Sequence, residues 1–283
     1  MSATINNEDE VTIEWNLTTL VRPGPIQQHN DQTGVALIVL NQPLEKSLHV
    51  IRTLWNNASI RVAADGGANA IYEVAGQHGD TTFDNLQAIV GDLDSLDPIT
   101  QEYYTSRTKP AAIIRQASQE STDFGKAINY VRQNSPAGPI DIVAIGGLGG
   151  RVDQGLSQLH HLYLFQKDEH YKQGRIYLFS GESLTFLLKG DQRKVHKIRV
   201  RDEGQLGEED AFGKHVGILP VGEKSRIWTK GLEWDVQDWE TGFGGRVSTS
   251  NHILPETKVV EVRTARDVLF TVALRDGKES GVP

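Results

Sequence analysis

The sequence contains no cysteine. That excludes disulfides, thiolate nucleophiles and cysteine-ligated zinc or iron–sulfur centres, and it fits a cytoplasmic protein. Positive charge is in deficit: 29 Lys and Arg stand against 37 Asp and Glu, a formal net charge of −8. A protein that grips a nucleic-acid backbone carries a basic face, so nucleic acid is not the expected partner. A small anionic ligand stays compatible where metal ions neutralise it locally. No apolar run approaches the roughly 20 residues of a membrane span. Met1 to Glu10 is polar and acidic, unlike a signal or transit peptide. No internal repeat is visible.

What is present can build a core. Of 283 residues, 38% are hydrophobic and 23% charged, enough for one large domain or two ordinary ones. Residues 1–34 have mixed polarity and include the breaker Arg22-Pro23-Gly24-Pro25. They are expected to form an N-terminal arm on the body. From residue 35 to 181 the pattern alternates. Val35–Leu40 is a continuous apolar run, as for a strand buried on both faces. Further strands are expected at Arg61–Ala64, Leu86–Val90, Ala111–Ile114, Ile140–Ile145 and Ile176–Phe179.

Helices are expected between them. Phe124, Ala127, Ile128 and Val131 give one apolar helical face. Leu156, Leu159, Leu162 and Tyr163 are expected on the inner side of a helix over Asp153–Phe165. Asp97-Pro98 reads as the cap and first turn of another. Strands alternating with helices imply an α/β domain with a parallel sheet. Residues 182–283 instead carry short β-rich runs, read as a smaller antiparallel sandwich or barrel. Asp202–Lys214, acidic and polar, is expected to be an exposed loop.

The acids fall where the strands end. Asp65 follows the second strand, Asp92 and Asp94 the third, Asp123 the fourth, and Arg151 with Asp153 the fifth. Ligands of open α/β sheets bind beyond these carboxyl ends. One such Asp is as readily a helix cap or turn residue, which suits Asp97 and partly Asp123 and Asp153. The set points further, because clustered carboxylates repel unless a cation offsets them. A hard divalent cation with oxygen ligands is the natural partner. In an extended segment, Asp92 and Asp94 point to the same side and can share a metal. Gly66-Gly67, Gly146-Gly147 and Gly149-Gly150 let backbone N–H groups approach phosphate oxygens, and Arg151 can take a phosphate bidentately. The stretch Gly217–Ser225 approaches a P-loop. Glu223 precedes its lysine and strand-like residues follow, which rules that motif out. His160 and His161 are adjacent on a helix and point apart, so a helix-face role is expected for them rather than a shared metal.

These segments together resemble the thiamine pyrophosphokinase family in its eukaryotic, fungal-like form. The residues that carry the resemblance are Ala64-Asp65-Gly66-Gly67-Ala68, Gly91-Asp92-Leu93-Asp94-Ser95, Ser121-Thr122-Asp123-Phe124, Gly146-Gly147 through Gln154, Gly231-Leu232-Glu233-Trp234 and Val247–Asn251. The resemblance implies an α/β catalytic domain, a β-sandwich thiamine-binding domain, and a homodimer with sites between subunits. It implies transfer of pyrophosphate from ATP to the hydroxyl of thiamine, with AMP released. By position, Asp92, Asp94 and Asp123 would hold magnesium. Asp65, Gln119, Thr122, Arg151 and Asp153 would contact the phosphates, the metal's water shell or the attacking hydroxyl. Trp234, Ser250 and Asn251 would bind thiamine. The alternatives are a metal-dependent nucleotide-sugar transferase and a non-catalytic thiamine or nucleotide sensor.

Overall fold

A computed structural model describes residues 10–22, 34–44, 46–136, 138–202 and 211–275. The chain divides into two compact units, one of Leu20–Leu184 and one of Met1–Thr19 with Thr185–Pro283. The expected domain junction after residue 181 thus lies three residues from the observed one.

The chain enters through β1 (Val11–Asn16) and a short helix, α1 (Leu17–Val21). The larger unit then runs β2 (Val35–Val39), α2 (Leu48–Asn57), β3 (Ala58–Ala64), α3 (Gly67–His78), β4 (Ala88–Gly91), α4 (Pro98–Thr105) and β5 (Ala112–Arg115). It continues with α5 (Asp123–Asn134), β6 (Asp141–Ile145), α6 (Val152–Phe165) and β7 (Ile176–Phe179). Its strands lie in the order β7-β6-β2-β3-β4-β5 and pair in parallel throughout. β2 is buried at every position, which is why its sequence is unbroken Val-Ala-Leu-Ile-Val. Chain order reverses at β2: β3 leads one way and β6 the other. This is the switch point at which such sheets bind ligands.

Of the expected helices α5 follows the sequence pattern and α6 does so in part, while α2 is not among those expected. On α5, Phe124, Ala127, Ile128 and Val131 are all buried, and the helix contacts β3 and β4. On α6 the expected inner face holds only in part. Leu162 is buried and Leu159 and Tyr163 are half-buried, but Leu156 is 56% exposed, and Gln158 and His161 are buried beside Leu162. Polar groups share the inward stripe here, so the apolar pattern does not mark all of it. His161 is thus on the buried face of the helix, while His160 is exposed.

The second unit holds β8 (Ser183–Leu188), β9 (Lys194–Arg199), β10 (Phe212–Leu219), β11 (Ser225–Lys230), β12 (Trp239–Thr241), β13 (Ser248–His252), β14 (Val259–Thr264) and β15 (Val268–Leu274). One sheet is ordered β1-β9-β14-β11-β12, and the strands β13-β10-β15-β8 form the other layer. Trp15 of the first lies 4.5 Å from Phe186 of the second, and Phe186 lies 5.4 Å from Phe270. This is the expected sandwich.

Its membership differs from the expectation at the N-terminus. Val11–Asn16 is no arm: it pairs in parallel with β9, and Ile13 and Trp15 alternate inward. Trp15 Nε1 donates to His196 Nδ1 at 3.0 Å, with both side chains buried. The partner strand lies more than 180 residues away in sequence, so no local pattern reveals the pairing. The rest of the expected arm, residues 1–9 and 23–33, lies outside the described residues. So does 203–210 of the expected loop, while Phe212, Gly213 and Lys214 belong to β10.

Candidate functional site

Sheet register assembles the cleft. Ala64 pairs with Val90, so Asp65 and Gly91, the residues just beyond that pair, meet side by side. A Cβ at position 91 would lie 2.8 Å from the Asp65 Cβ and 3.1 Å from Asp123 Oδ1. Glycine there lets carboxylates from neighbouring strand ends come together. Oxygens of Asp65, Asp92 and Asp94 all lie within 4.8 Å of one another, the one such group of three among the described residues. Asp92 and Asp94 do converge, but not through an extended segment. Leu93 sits at φ 68° and Asp65 at φ 44°, left-handed conformations that cost of order 1–3 kcal/mol in a residue with a side chain. Such strain is held at a site only where surrounding structure imposes it.

Asp123, expected among the metal ligands, falls outside this trio. Its Oδ1 accepts from Asp92 N at 3.2 Å and from Lys126 Nζ at 2.9 Å. The third member of the trio is Asp65. Asp65 is 4% exposed, its Oδ2 accepts from Ser95 N at 3.2 Å, and its Oδ1 is buried without a hydrogen-bond partner. Burial raises its pKa to about 6; the Ser95 N–H opposes the rise, and the Asp123, Asp94 and Asp92 carboxylates add to it. Asp92 shifts the other way, chiefly because the Asp94 N–H donates to it, with help from the Gln119 amide. An orphaned buried oxygen beside two more carboxylates is a donor set suited to a hard divalent cation.

Further groups surround the acids in a cleft of about 590 Å³. Gln119 Nε2 reaches Asp92 Oδ2 at 3.3 Å. Thr122 caps α5, its oxygen accepting from Gly125 N at 3.1 Å. Arg151 lines the cleft and holds Asp153 through both carboxylate oxygens, at 3.1 and 2.6 Å. That contact lowers the Asp153 pKa and raises that of Arg151. Both are exposed, so a phosphate can compete for the guanidinium.

Sequence reasoning missed Asn41, Gln42, Lys126, Gln158 and His161, which also line the cleft. Asn41 and Gln42 follow β2 and carry no charge, so the pattern of acids at strand ends does not mark them. Lys126 follows Asp123 by one helical turn, a spacing that puts both on one face.

The three remaining candidates belong to the β unit. Trp234 is 54% exposed and so is not a core residue. Asn251, buried on β13, accepts from Trp234 N at 3.1 Å and donates to Trp234 O at 2.8 Å. Its amide thereby fixes the Trp234 backbone, and its Oδ1 also accepts from His252 N at 2.8 Å. The Trp234 ring lies 5.0 Å from that of His252, whose Nδ1 is 2.6 Å from Glu233 Oε2. Ser250 is exposed on the same strand.

A parallel α/β unit with an acidic cleft at its switch point, carried in one chain with a β sandwich, has the build of a two-domain α/β enzyme. Residues 51–173 match the family description "Thiamin pyrophosphokinase, catalytic domain", and residues 195–269 match "Thiamin pyrophosphokinase, vitamin B1 binding domain". The chain belongs to the thiamin pyrophosphokinase family. Thiamine pyrophosphokinase 3 of Oryza sativa subsp. japonica is 34% identical over 251 residues, covering 85% of this chain and 87% of that protein. The thiamine pyrophosphokinase of Saccharomyces cerevisiae is 27% identical, covering 92% and 90%. Among solved structures, thiamin pyrophosphokinase from Candida albicans superposes with a TM-score of 0.73 at 25% identity, covering 97% of this chain and 96% of that one. The yeast enzyme's crystal structure shares the fold, with a TM-score of 0.77 at 24% identity.

Proposed function

We propose that this protein transfers pyrophosphate from ATP to the hydroxyl of thiamine, giving thiamine diphosphate and AMP, with its polyphosphate held in the acidic cleft. The observation that carries the reading is the convergence of Asp65, Asp92 and Asp94 beside a buried lysine. Magnesium is the proposed metal, held by these three residues. When bound, it neutralises phosphate charge and aligns the polyphosphate for displacement.

The chain's own groups do the rest. Lys126 brings a buried positive charge to the cleft, and Arg151 exchanges Asp153 for a phosphate oxygen pair. A carboxylate near the attacking hydroxyl accepts its proton as the β-phosphorus is attacked. Little covalent help is needed, since such transfers rest on positioning and charge neutralisation. Trp234 offers a flat face to a cationic heteroaromatic ring, with Asn251 holding it in place and Ser250 beside it. A cytoplasmic homodimer is proposed as the working form. No helix among the described residues is long and apolar enough to cross a membrane.

The test is direct. Protein incubated with ATP, magnesium and thiamine should release AMP and thiamine diphosphate in equal amounts. Absence of both products from folded protein overturns the reading.

A further inference from the structure

His161 lies on α6 with only 4% of its surface exposed, and its two ring nitrogens have opposite partners. Nδ1 is 2.5 Å from Ser157 O, one turn back in the same helix. A carbonyl oxygen only accepts, so Nδ1 carries the hydrogen. In a neutral ring Nε2 is then an acceptor, and it lies 2.6 Å from Thr122 Oγ1. Burial lowers the His161 pKa, which favours this neutral ring. The Thr122 hydroxyl therefore gives its hydrogen to His161 while its oxygen takes the Gly125 N–H.

The Thr122 hydroxyl has a single hydrogen, and this arrangement commits it. The ring has little freedom to turn. The Phe124 ring lies 5.1 Å from it, and the Phe165 ring stacks on it at 5.8 Å and 12°. The result is a strut from the middle of α6 to the first residues of α5. That turn of α5 carries Asp123 and Lys126, whose contact at 2.9 Å lines the cleft with Asp65 and Asp92.

We propose that His161 is a positioning residue for the transfer reaction, locking the N-terminus of α5 through Thr122 so that Asp123 and Lys126 keep their places in the cleft. The proposal rests on the phosphoryl-transfer reading above. His161 itself need touch neither substrate nor metal. Its effect is on the placement of charged groups, and misplacement of such supporting contacts typically costs roughly ten- to a hundredfold in activity.

The test combines spectroscopy with a double-mutant cycle. A long-range proton–nitrogen spectrum of the wild-type protein should show His161 in the Nδ1–H form; an Nε2–H form overturns the proposal. His161→Leu should lower kcat by roughly ten- to a hundredfold with little change in KM for thiamine. Thr122→Val should cost at least as much, because it also removes the cap, and adding His161→Leu to it should cost little more. His161→Gln, whose amide oxygen can take the Thr122 hydrogen, should recover most of the rate. Multiplicative losses, or a His161→Gln enzyme as slow as His161→Leu, overturn the proposal. If the wild-type protein forms no thiamine diphosphate, the substrate reading fails instead. The tautomer and the same cycle read in thermal stability then decide the role of His161.

Discussion

The Lys126 ammonium lies 2.9 Å from Asp123 Oδ1, with 2% of the lysine side chain exposed and 30% of the aspartate's. A lysine in the first turn of a helix opposes the helix dipole. Its burial there is explained by the carboxylates it faces rather than by helix stability. Lys126→Met keeps the side chain's bulk and removes its charge. It should lower stability by about 2 kcal/mol, less than for a fully buried pair because Asp123 reaches water. It should also cut kcat by about a hundredfold at saturating magnesium. Thermal melts and a magnesium titration of the rate check both numbers. An unchanged kcat removes Lys126 from the reaction.

Asp94→Ala should abolish turnover while leaving the melting temperature of metal-free protein unchanged or higher. Removing one carboxylate from a cluster relieves repulsion that no cation offsets. A near-normal rate at saturating magnesium would refute its assignment as a metal ligand.

Asp65 carries a pH signature. Its folded pKa of about 6 stands above its ordinary value of 3.8. The folded state therefore binds its proton more tightly than the unfolded state does. The resulting stabilisation is complete below pH 4 and is lost as pH rises through 6. Asp65→Asn should remove this loss and raise the melting temperature of metal-free protein at pH 7 by about 2–4 °C, allowing for screening by water in the cleft. Magnesium should stabilise the wild type but not the variant. Melts across pH 4–7 with and without magnesium read the difference, and identical profiles for the two proteins contradict the assignment.

Trp234→Ala should raise KM for thiamine more than KM for ATP. Asn251→Ala should do the same more weakly, because it frees the Trp234 backbone from its clamp without removing the ring. Equal effects on both substrates would point to a general loss of structure in the β unit.

Trp15→Phe keeps the ring packed against Phe186 and deletes the N–H that reaches buried His196. It should cost about 1–3 kcal/mol by denaturant unfolding. An effect below 0.5 kcal/mol, the scale of ordinary surface substitutions, would show that β1 adds little to the sandwich.

Much of this was legible in the chain. Val35–Val39 and Ile142–Ile145 are apolar throughout because they are buried on both faces, and a run of that kind needs no tertiary knowledge to read. Asp65, Asp92 and Asp94 could be placed at strand ends for the same reason. The inner face of α6 was legible only at Leu162, because Gln158 and His161 line the cleft and break the apolar pattern. Nor was β1, whose Ile13 and Trp15 alternate correctly but whose partner is remote.

The sequence by itself determined that acids, glycines and an arginine follow successive parallel strands, because strand and helix patterns repeat over a few residues and those residues are neighbours in the chain. Only the tertiary structure decided which acids meet. That choice depends on the register of β3 against β4, on the left-handed backbone at Asp65 and Leu93, and on the contact between Asp123 and Lys126. Each is a relation between residues brought together by folding, and no spacing along the chain encodes it.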